Sequence, residues 1–232
     1  MSMNYIIGAG GVGSWLCPAL CKLVGPESVT LIDGDKLEPK NLDRQLFDES
    51  QVGRHKAEAL AEQYGCGHLN AWYYNGLIEP SSEDWLLVCV DNMPARKAAL
   101  ESCDRFFCNA LFAANERLSA EAYLYLPGFK NSKYEDLDPR KYYPEINRDK
   151  SGDPMARSAG CTGEAQQETP QLVTANFMAA ALLAHMYVVW AMEAVKMDLE
   201  GMRGLPFKLT ASLSRLESFN INKHIKEKGK DQ

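Results

Sequence analysis

Apolar and polar residues change their spacing repeatedly along the first hundred residues. Four short apolar runs predict β-strands at 4–7, 28–33, 69–74 and 86–90. Three segments between or after them have the spacing of helices: 12–23, 53–64 and 94–106. Strands that alternate with helices indicate parallel pairing, with a helix crossing over between strands. The pattern therefore predicts an α/β fold, a doubly wound Rossmann-like and mostly parallel sheet with helices on both faces.

The second half of the chain has a less regular pattern. Residues 121–125 alternate as a strand does, and a C-terminal sheet is expected near 209–219. Between them, 130–157 is polar, rich in tyrosine and interrupted by three prolines, which favours a long crossing loop. We predict one domain over 1–232, made of three parts: a nucleotide-binding half (1–110), a crossover loop (130–170), and a long helix with C-terminal strands (171–232).

Residues 171–192 are uncharged and long enough to raise the question of a membrane span. Thr174, Asn176 and His185 interrupt the run, and no basic flank marks a cytoplasmic side. A helix that is apolar on nearly every face is typical of a core or a subunit interface. We therefore predict a buried helix, with His185 as a satisfied buried histidine, and no membrane association.

Composition narrows the class of protein. The chain has 232 residues, 46% of them hydrophobic, so it can bury a sizeable core without disulfides. Its net charge of −6 argues against the basic face that nucleic-acid binding needs. Seven scattered cysteines, with no signal peptide before the first strand, indicate a reducing, cytoplasmic setting.

A glycine loop follows the first predicted strand. Gly8, Gly10 and Gly13 have the spacing of a dinucleotide fingerprint at the start of a helix, where backbone N–H groups can approach phosphate oxygens. Asp33 ends the second strand twenty positions after Gly13, where a carboxylate can bind ribose hydroxyls. Two alternatives stay open: the loop can serve packing alone, and Asp33 or Asp35 can simply cap a turn.

Four polar residues follow Asp33 along the chain: Asn41, Arg44, Gln45 and Lys56. A dehydrogenase has no reason to place this set beside its ribose carboxylate. An arginine and a lysine together can hold and polarise a triphosphate. Asp91 ends the strand at 86–90 and is expected to face the same crevice, although Asp91 and Asn92 can also form the N-cap of the next helix.

In these motifs the chain resembles the ThiF/MoeB family of adenylyltransferases, which includes the ubiquitin-activating enzymes. The resemblance rests on 8–14, 33–35, 41–45, 52–56 and 90–92, in the family's order and close to its spacing. It covers about the first hundred residues, with a weaker match at Cys161 and along the long helix. Within the family, the cassette-associated PRTRC branch is similar in its opening and length.

The resemblance implies a role for each matching position. Gly8, Gly10, Gly11 and Gly13 would form the nucleotide loop, with Asp33 on the ribose. Asn41, Arg44 and Lys56 would contact the phosphates of ATP, with Gln45 beside them. Asp91 would help to hold Mg²⁺, with Asp35 as a second ligand. The implied reaction is attack of a carboxylate on the α-phosphorus of ATP, commonly by the C-terminal glycine of a small ubiquitin-like or sulfur-carrier-like protein.

Cys161 decides what would happen after adenylation. The segment Gly160-Cys161-Thr162 resembles the catalytic-cysteine region of ubiquitin-activating enzymes, which implies transfer of the acyl group to this thiol. The alternative is an incidental free cysteine. Family members commonly dimerise through the long helix, so a homodimer is expected.

Two features depart from the family pattern. No Cys-x-x-Cys pair occurs, so the family's structural zinc is not expected, and Cys17 and Cys21 are interpreted as small apolar residues one helical turn apart. Only three residues precede the first strand, so the arginine that many members supply from an N-terminal helix is missing from its usual place. Arg140, Arg148 and Arg157 are candidates to replace it.

Three other functions stay open. The chain can adenylate a small-molecule, peptide or tRNA-linked carboxylate, or it can be a non-catalytic ATP-binding subunit of the same fold. A nicotinamide dehydrogenase is the most distant alternative, and binding of ATP with Mg²⁺ rather than NAD separates it from the rest.

Overall fold

A computed structural model describes residues 2–73, 77–130, 132, 134–148, 172–193 and 205–212. Within these ranges one seven-stranded sheet forms the centre of the molecule. Its strands are β1 (Asn4–Ile7), β2 (Val29–Ile32), β3 (Gly67–Leu69), β4 (Trp85–Val88), β5 (Asn109–Asn115), β6 (Ser119–Tyr125) and β7 (Lys208–Ser212). The strand order is β3-β2-β1-β4-β5-β6-β7. The pairs among β1 to β5 are parallel, and β6 and β7 continue the sheet in antiparallel fashion.

Six α-helices lie in the described ranges: α1 (Gly13–Val24), α2 (Lys56–Tyr64), α3 (Met93–Phe106), α4 (Pro139–Tyr142), α5 (Glu145–Arg148) and α6 (Val173–Tyr187). A π-helical turn at Val188–Glu193 extends α6. Short 3₁₀ turns occur in the connections, including one at Pro39–Asn41 and one at Glu49–Gln51. These two turns shape the long connection between β2 and α2.

The position of β1 determines where a ligand can bind. This strand pairs with β2 on one side and with β4 on the other, and Asn4 lies opposite both Val29 and Trp85. All four residues of β4 are buried, as expected for a central strand that is covered on both faces. The chain therefore leaves β1 and β4 in opposite directions, which opens a crevice beyond their carboxyl ends.

The predicted α/β fold class is confirmed, with corrections to three segments. The third strand is β3 at Gly67–Leu69, not 69–74, so Trp72 lies beyond the strand. β5 was not predicted at all. The crossing loop contains α4 and α5 in its first part, and its remainder lies outside the described residues. The single domain over 1–232 stays a prediction.

The predicted long helix exists, but it is less buried than expected. α6 packs against β5, β6 and α1. By length and composition alone, residues Val173–Glu193 could cross a membrane, and 44% of their most apolar stretch is buried. Phe177 is 57% exposed, and His185 is also exposed, so the expected burial of His185 is wrong. Because one side of α6 covers the sheet, we regard it as a core helix with one open face.

Candidate functional site

The crevice beyond β1, β2 and β4 is a cleft of about 390 Å³. Ten of the twelve residues predicted for the site line it: Gly8, Gly10, Gly11, Asp33, Asp35, Asn41, Arg44, Gln45, Lys56 and Asp91. Gly13 lies directly behind the loop as the first residue of α1. Cys161 lies outside the described residues. The fold thus brings together side chains that the sequence spreads over more than eighty positions.

The glycine loop passes very close to the sheet. Gly8 has a φ of +94°, and a Cβ there would lie 2.8 Å from a methyl group of Val90. A Cβ on Gly13 would lie only 1.8 Å from the carbonyl oxygen of Gly8. Neither position accepts a side chain. The interpretation that the glycines of this loop serve packing is therefore correct in part. The same tight turn brings the start of α1 to the cleft.

The amino end of α1 is open towards the cleft. Val12 is its N-cap residue, and no side chain from the described ranges accepts a hydrogen bond from the first turn. Within the first turn, the Ser14 and Trp15 N–H groups donate to the carbonyl oxygens of Gly10 and Val12, at 3.0 and 3.2 Å. The dipole of α1 favours an anion at this end of the cleft, where the N–H groups of Gly10 and Gly11 donate to no other described residue.

Asp33 supports the loop and also faces the cleft. One carboxylate oxygen accepts a hydrogen bond from the Ala9 N–H at 2.7 Å, and the other accepts one from the Asp35 N–H, also at 2.7 Å. Burial raises the pKa of the Asp33 carboxyl, while Lys56 and these amides act to lower it. Each carboxylate oxygen still has capacity for another donor, such as a sugar hydroxyl.

The two predicted cations of the site have different surroundings. Lys56 is 7% exposed, and its ammonium lies 3.2 Å from a carboxylate oxygen of Asp35. The side chain of Arg44 is 29% exposed, and its nearest described carboxylate, on Asp43, is 3.8 Å away. Arg44 is therefore available to a ligand. The Lys56 ammonium must either contact a ligand while it stays paired with Asp35 or move away from Asp35.

Asn41 and Gln45 are buried in the wall of the cleft. The side-chain oxygen of Asn41 accepts a hydrogen bond from the Glu38 N–H at 3.0 Å, which stabilises the turn at Pro39–Asn41. The side-chain oxygen of Gln45 has no hydrogen-bond partner among the residues that the structure describes. A buried polar atom without a partner is costly, so Gln45 is suited to receive a donor from a ligand.

Asp91 extends into the cleft from the end of β4. Its side chain is exposed, and its carboxylate forms no hydrogen bond or ion pair with another described residue. The N-cap of α3 is Asn92, which accepts a hydrogen bond from the Ala95 N–H at 2.9 Å. The capping role therefore belongs to Asn92, and among the described residues nothing competes with a ligand for the Asp91 carboxylate.

Trp72 is a cleft residue that the sequence analysis did not identify. A Cβ on Gly34 would lie 2.4 Å from the Trp72 ring, so the indole packs directly on the backbone after Asp33. The mistaken strand at 69–74 placed Trp72 inside the sheet. With β3 ending at Leu69, an aromatic ring just beyond the strand is a recognisable signal for a cleft wall.

Asn176 on α6 connects three parts of the site, and this too was not predicted. Its side-chain oxygen accepts a hydrogen bond from Asn115 at 2.7 Å, and its amide donates to the carbonyl oxygen of Arg44 at 3.4 Å. A Cβ on Gly11 would lie 2.8 Å from the Asn176 side chain. A polar residue inside an apolar helix is the only signal for this link in the sequence.

Replacing Asn176 by Ala is expected to lower the free energy of unfolding by about 1–3 kcal/mol, because the buried Asn115 amide loses its acceptor. Thr174→Ala, on the exposed side of the same helix, is the matched control and should change stability by no more than about 0.5 kcal/mol. Urea denaturation of both variants measures the difference. Equal stability of the two variants would contradict this account of Asn176.

Arg96 and Cys89 form the floor of the cleft. The buried guanidinium of Arg96 donates to the carbonyl oxygens of Val90 and Ala113 at 2.9 and 2.8 Å, and to the Tyr123 hydroxyl at 2.9 Å. Arg96 therefore fixes the strand ends. Burial raises the pKa of the Cys89 thiol to about 12, against the effect of Arg96, so Cys89 is not a nucleophile at neutral pH.

The crossing-loop arginines that were candidates for the phosphate site do not reach the cleft in the described residues. Arg140 forms ion pairs with Asp138 at 2.7 Å and Asp104 at 2.8 Å, and it does not line the cleft. Arg157 and the side chain of Arg148 lie outside what the structure describes. Arg140 therefore holds α4 against α3 and is not a phosphate ligand in this arrangement.

A family model described as "ThiF family" matches residues 2–228. Among characterised proteins, ubiquitin-like modifier-activating enzyme 5 of Aedes aegypti is 30% identical over 125 residues, which cover 45% of this chain and 31% of that protein. Adenylyltransferase and sulfurtransferase uba4 of Neosartorya fischeri is 36% identical over 94 residues, which cover 39% of this chain and 18% of that protein. The tRNA threonylcarbamoyladenosine dehydratase of Haemophilus influenzae is 28% identical over 117 residues, which cover 46% of this chain and 44% of that protein.

Solved structures share the fold. Escherichia coli MccB has a TM-score of 0.65 at 18% identity, and the similarity covers 93% of this chain and 60% of MccB. A structure of MccB with ATP has a TM-score of 0.57 at 22% identity, and the similarity covers 82% of this chain and 56% of MccB. The chain spans less than half the length of each curated relative named above.

Proposed function

Because this chain belongs to the ThiF family, we propose that it is an ATP-dependent adenylyltransferase, and that its substrate is the C-terminal carboxylate of a small ubiquitin-like or sulfur-carrier-like protein. One observation carries the proposal. The glycine loop, the Asp33 carboxylate, two cations and Asp91 line a single cleft at the point where the chain leaves β1 and β4 in opposite directions. A nucleoside triphosphate has a sugar, a phosphate chain and a bound cation that match these groups.

In the proposed complex the ribose hydroxyls donate to Asp33. The phosphates approach the backbone of Gly8, Gly10 and Gly11, with Arg44 and Lys56 on their oxygens. Lys56 would leave Asp35 as it turns to the phosphates. Asn41 and Gln45 complete the wall, and the side-chain oxygen of Gln45 receives a donor from the nucleotide or from bound water.

Asp91 suits a Mg²⁺ ligand because it lines the cleft and its carboxylate forms no ion pair or hydrogen bond with the other residues that the structure describes. Asp35 suits this role less well, since Lys56 already neutralises it. Bound Mg²⁺ would neutralise charge on the triphosphate. The other contributions come from the chain: Arg44 and Lys56 stabilise the charge that develops when an acyl carboxylate attacks the α-phosphorus and pyrophosphate leaves.

We also propose a second step in which the Cys161 thiolate attacks the acyl adenylate and releases AMP. The support is the resemblance of the segment around Cys161, together with the raised pKa of Cys89, which among the described residues is the one cysteine that lines the cleft. The test is mass spectrometry after incubation with ATP and the acyl substrate. A mass gain that is lost in Cys161→Ser and kept in Cys103→Ser and Cys108→Ser would support the transfer.

The carboxylate is the least defined part of the proposal. The relatives include a dehydratase named for a tRNA nucleoside, and MccB has been solved with the peptide MccA. A peptide or a tRNA-linked carboxylate is therefore the second candidate. A non-catalytic ATP-binding subunit is the third, although its fold would not require Arg44, Lys56 and Asp91 in one cleft.

Exchange of labelled pyrophosphate into ATP tests the proposal. The full chain, with Mg²⁺ and a ubiquitin-like protein that ends in glycine, should catalyse exchange, and the same protein without its terminal glycine should not. Exchange only with free small acids would defeat the protein substrate. No exchange and no ATP cleavage with any acceptor would favour the non-catalytic subunit, and calorimetry with NAD in place of ATP checks the dehydrogenase alternative.

Two further proposals concern the setting of the enzyme. The open face of α6 suits pairing with a second copy, so we propose a homodimer, which sedimentation would detect. We propose a cytoplasmic location from the free cysteines. The absence of nucleic-acid and membrane partners, and assignment to the PRTRC branch, stay predictions.

A further inference from the structure

Three cysteines meet where α1 contacts α2. Cys17 and Cys21 lie one helical turn apart on α1, and Cys66 follows the end of α2. Their three sulfur atoms all lie within 4.8 Å of one another, and the sulfurs of Cys17 and Cys66 are 4.0 Å apart. We refer to Cys17, Cys21 and Cys66 as the cysteine cluster. None of the three lines the nucleotide cleft.

The local fold directs Cys66 towards α1. Gly65, at the end of α2, has a φ of +73° and a left-handed conformation. The N–H groups of Gly65 and Cys66 both donate to the carbonyl oxygen of Ala61, at 2.8 and 3.1 Å. This cap turns the chain back, while the spacing of four residues on α1 places Cys17 and Cys21 on one helix face. The cluster is thus held by two elements of fixed geometry.

The sulfur positions match those of ligands around one ion. Zinc–sulfur bonds of about 2.3 Å place the sulfurs of a tetrahedral site about 3.8 Å apart. The separation of 4.0 Å between Cys17 and Cys66 is close to that value. It is also about twice the length of a disulfide bond. The three thiols can therefore converge on a metal with only small movements.

Solvent can reach the cysteine cluster at one of its three members. Cys17 is fully buried and Cys66 is half-buried. Cys66 also lines a surface groove, whose other residues are Arg54, Glu58, Ala61, Glu62 and His68. The groove gives an ion and a water molecule a route to the sulfurs.

We propose that the cysteine cluster binds one thiophilic metal ion, of the class that includes Zn²⁺ and Cu⁺, through three thiolates. Soft thiolate ligands select these metals over Mg²⁺. Each sulfur–metal bond forms as a thiol proton passes to solvent, and no electron is transferred. A fourth ligand for zinc would come from water in the groove. The absence of Cys-x-x-Cys pairs led to the expectation of no structural zinc, but this ligand set is assembled by the fold.

The bound metal would connect α1 to the end of α2. The amino end of α1 follows the nucleotide loop directly, and the same helix carries Cys17 and Cys21 further along. The metal would therefore raise the melting temperature without contacting ATP. The proposal does not depend on the proposed adenylyltransferase activity.

The test uses the full chain, reduced with a phosphine and freed of metal. Titration with Co²⁺ should give one equivalent of binding and the intense near-ultraviolet absorption of cobalt–thiolate bonds, and Zn²⁺ should displace the cobalt. Cys66→Ser removes a half-buried ligand, and circular dichroism verifies its fold. Its affinity for Zn²⁺ should fall by more than the roughly 10–100-fold that loss of an outer-shell partner costs. Cys103→Ala, a buried cysteine outside the cluster, is the matched control and should bind as the parent does.

Three results would overturn the proposal. The first is cobalt–thiolate absorption of equal strength in Cys66→Ser and the parent chain. The second is loss of binding in Cys103→Ala. The third is no metal binding by the reduced and folded chain, whether or not mass spectrometry finds a Cys17–Cys66 disulfide in the air-exposed chain. ATP binding, measured in parallel, should be retained by Cys66→Ser, which separates failure of this site from failure of the nucleotide site.

Discussion

Replacing Asp91 by Ala is expected to lower ATP–pyrophosphate exchange by roughly 100-fold or more, because a metal held on phosphate oxygens stabilises the transition state by several kcal/mol. The side chain is exposed and carries no hydrogen bond from another described residue, so its removal should leave the fold intact. Circular dichroism and the melting temperature verify the fold. Calorimetry with ATP, at low and high Mg²⁺ concentration, measures binding without any acyl substrate.

Asp136→Ala is the matched control for Asp91. Asp136 is an exposed aspartate in the 3₁₀ turn at Glu135–Leu137 and does not line the cleft, so its exchange rate should equal that of the parent chain. If Asp91→Ala and Asp136→Ala show the same exchange and the same Mg²⁺ dependence, Asp91 has no part in the mechanism. The rest of the nucleotide site would then need another metal ligand.

Gly13→Ala is expected to destabilise the fold by about 3 kcal/mol or more, since the added Cβ would lie 1.8 Å from the carbonyl oxygen of Gly8. For a chain of this size that corresponds to a fall in melting temperature of roughly 6–12 °C, or to failure to fold. The backbone must move to relieve the overlap, and the atom in contact belongs to the nucleotide loop. ATP binding should therefore weaken in any fraction that folds.

Gly10→Ala provides the comparison within the same loop. A Cβ on Gly10 would have its nearest neighbour, the Gln45 amide, at 3.7 Å, which is an ordinary contact distance. Its melting temperature should therefore stay close to that of the parent chain, whatever happens to its affinity for ATP. Equal melting temperatures for Gly10→Ala and Gly13→Ala would refute the close approach of Gly13 to Gly8.

The nucleotide half of the fold was readable from sequence because its signals are local. The runs that became β1, β2 and β4 are rich in isoleucine, leucine and valine, and the glycine loop follows β1 at once. Since parallel strands place their carboxyl ends at one edge, the sequence alone assigns Asp33 and Asp91 to one crevice.

Other parts of the fold could not be predicted from the sequence, because their local signal is weak or because they depend on contacts between distant segments. β5 contains three alanines in seven residues, and alanine has low strand propensity. This segment is a strand because it is buried between β4 and β6, not because of its local preference. The end of β3 at Leu69 also depends on pairing, since it pairs with β2 only as far as Ile32. This early end is what leaves Trp72 over Gly34.

Side-chain links between distant segments are also invisible in one sequence. Asn176 lies 132 positions from Arg44, and Cys66 lies 49 positions from Cys17. Each pair meets only because the sheet and its helices set the distance. Sequence reasoning identified Asn176 as an interruption of an apolar run and Cys17 as a small apolar residue, and only the fold gives either of them a partner.

The central position of β1 has a consequence for synthesis on the ribosome. This strand emerges before both of its neighbours, and the second of them, β4, begins only at Trp85. At elongation rates of about 5–20 residues per second, roughly 3–11 s pass between completion of β2 at Ile32 and the arrival of Trp85. During that interval the apolar edge of β1 has no native neighbour on one side, so a nascent chain stalled before Trp85 should be the most aggregation-prone and the most dependent on chaperones.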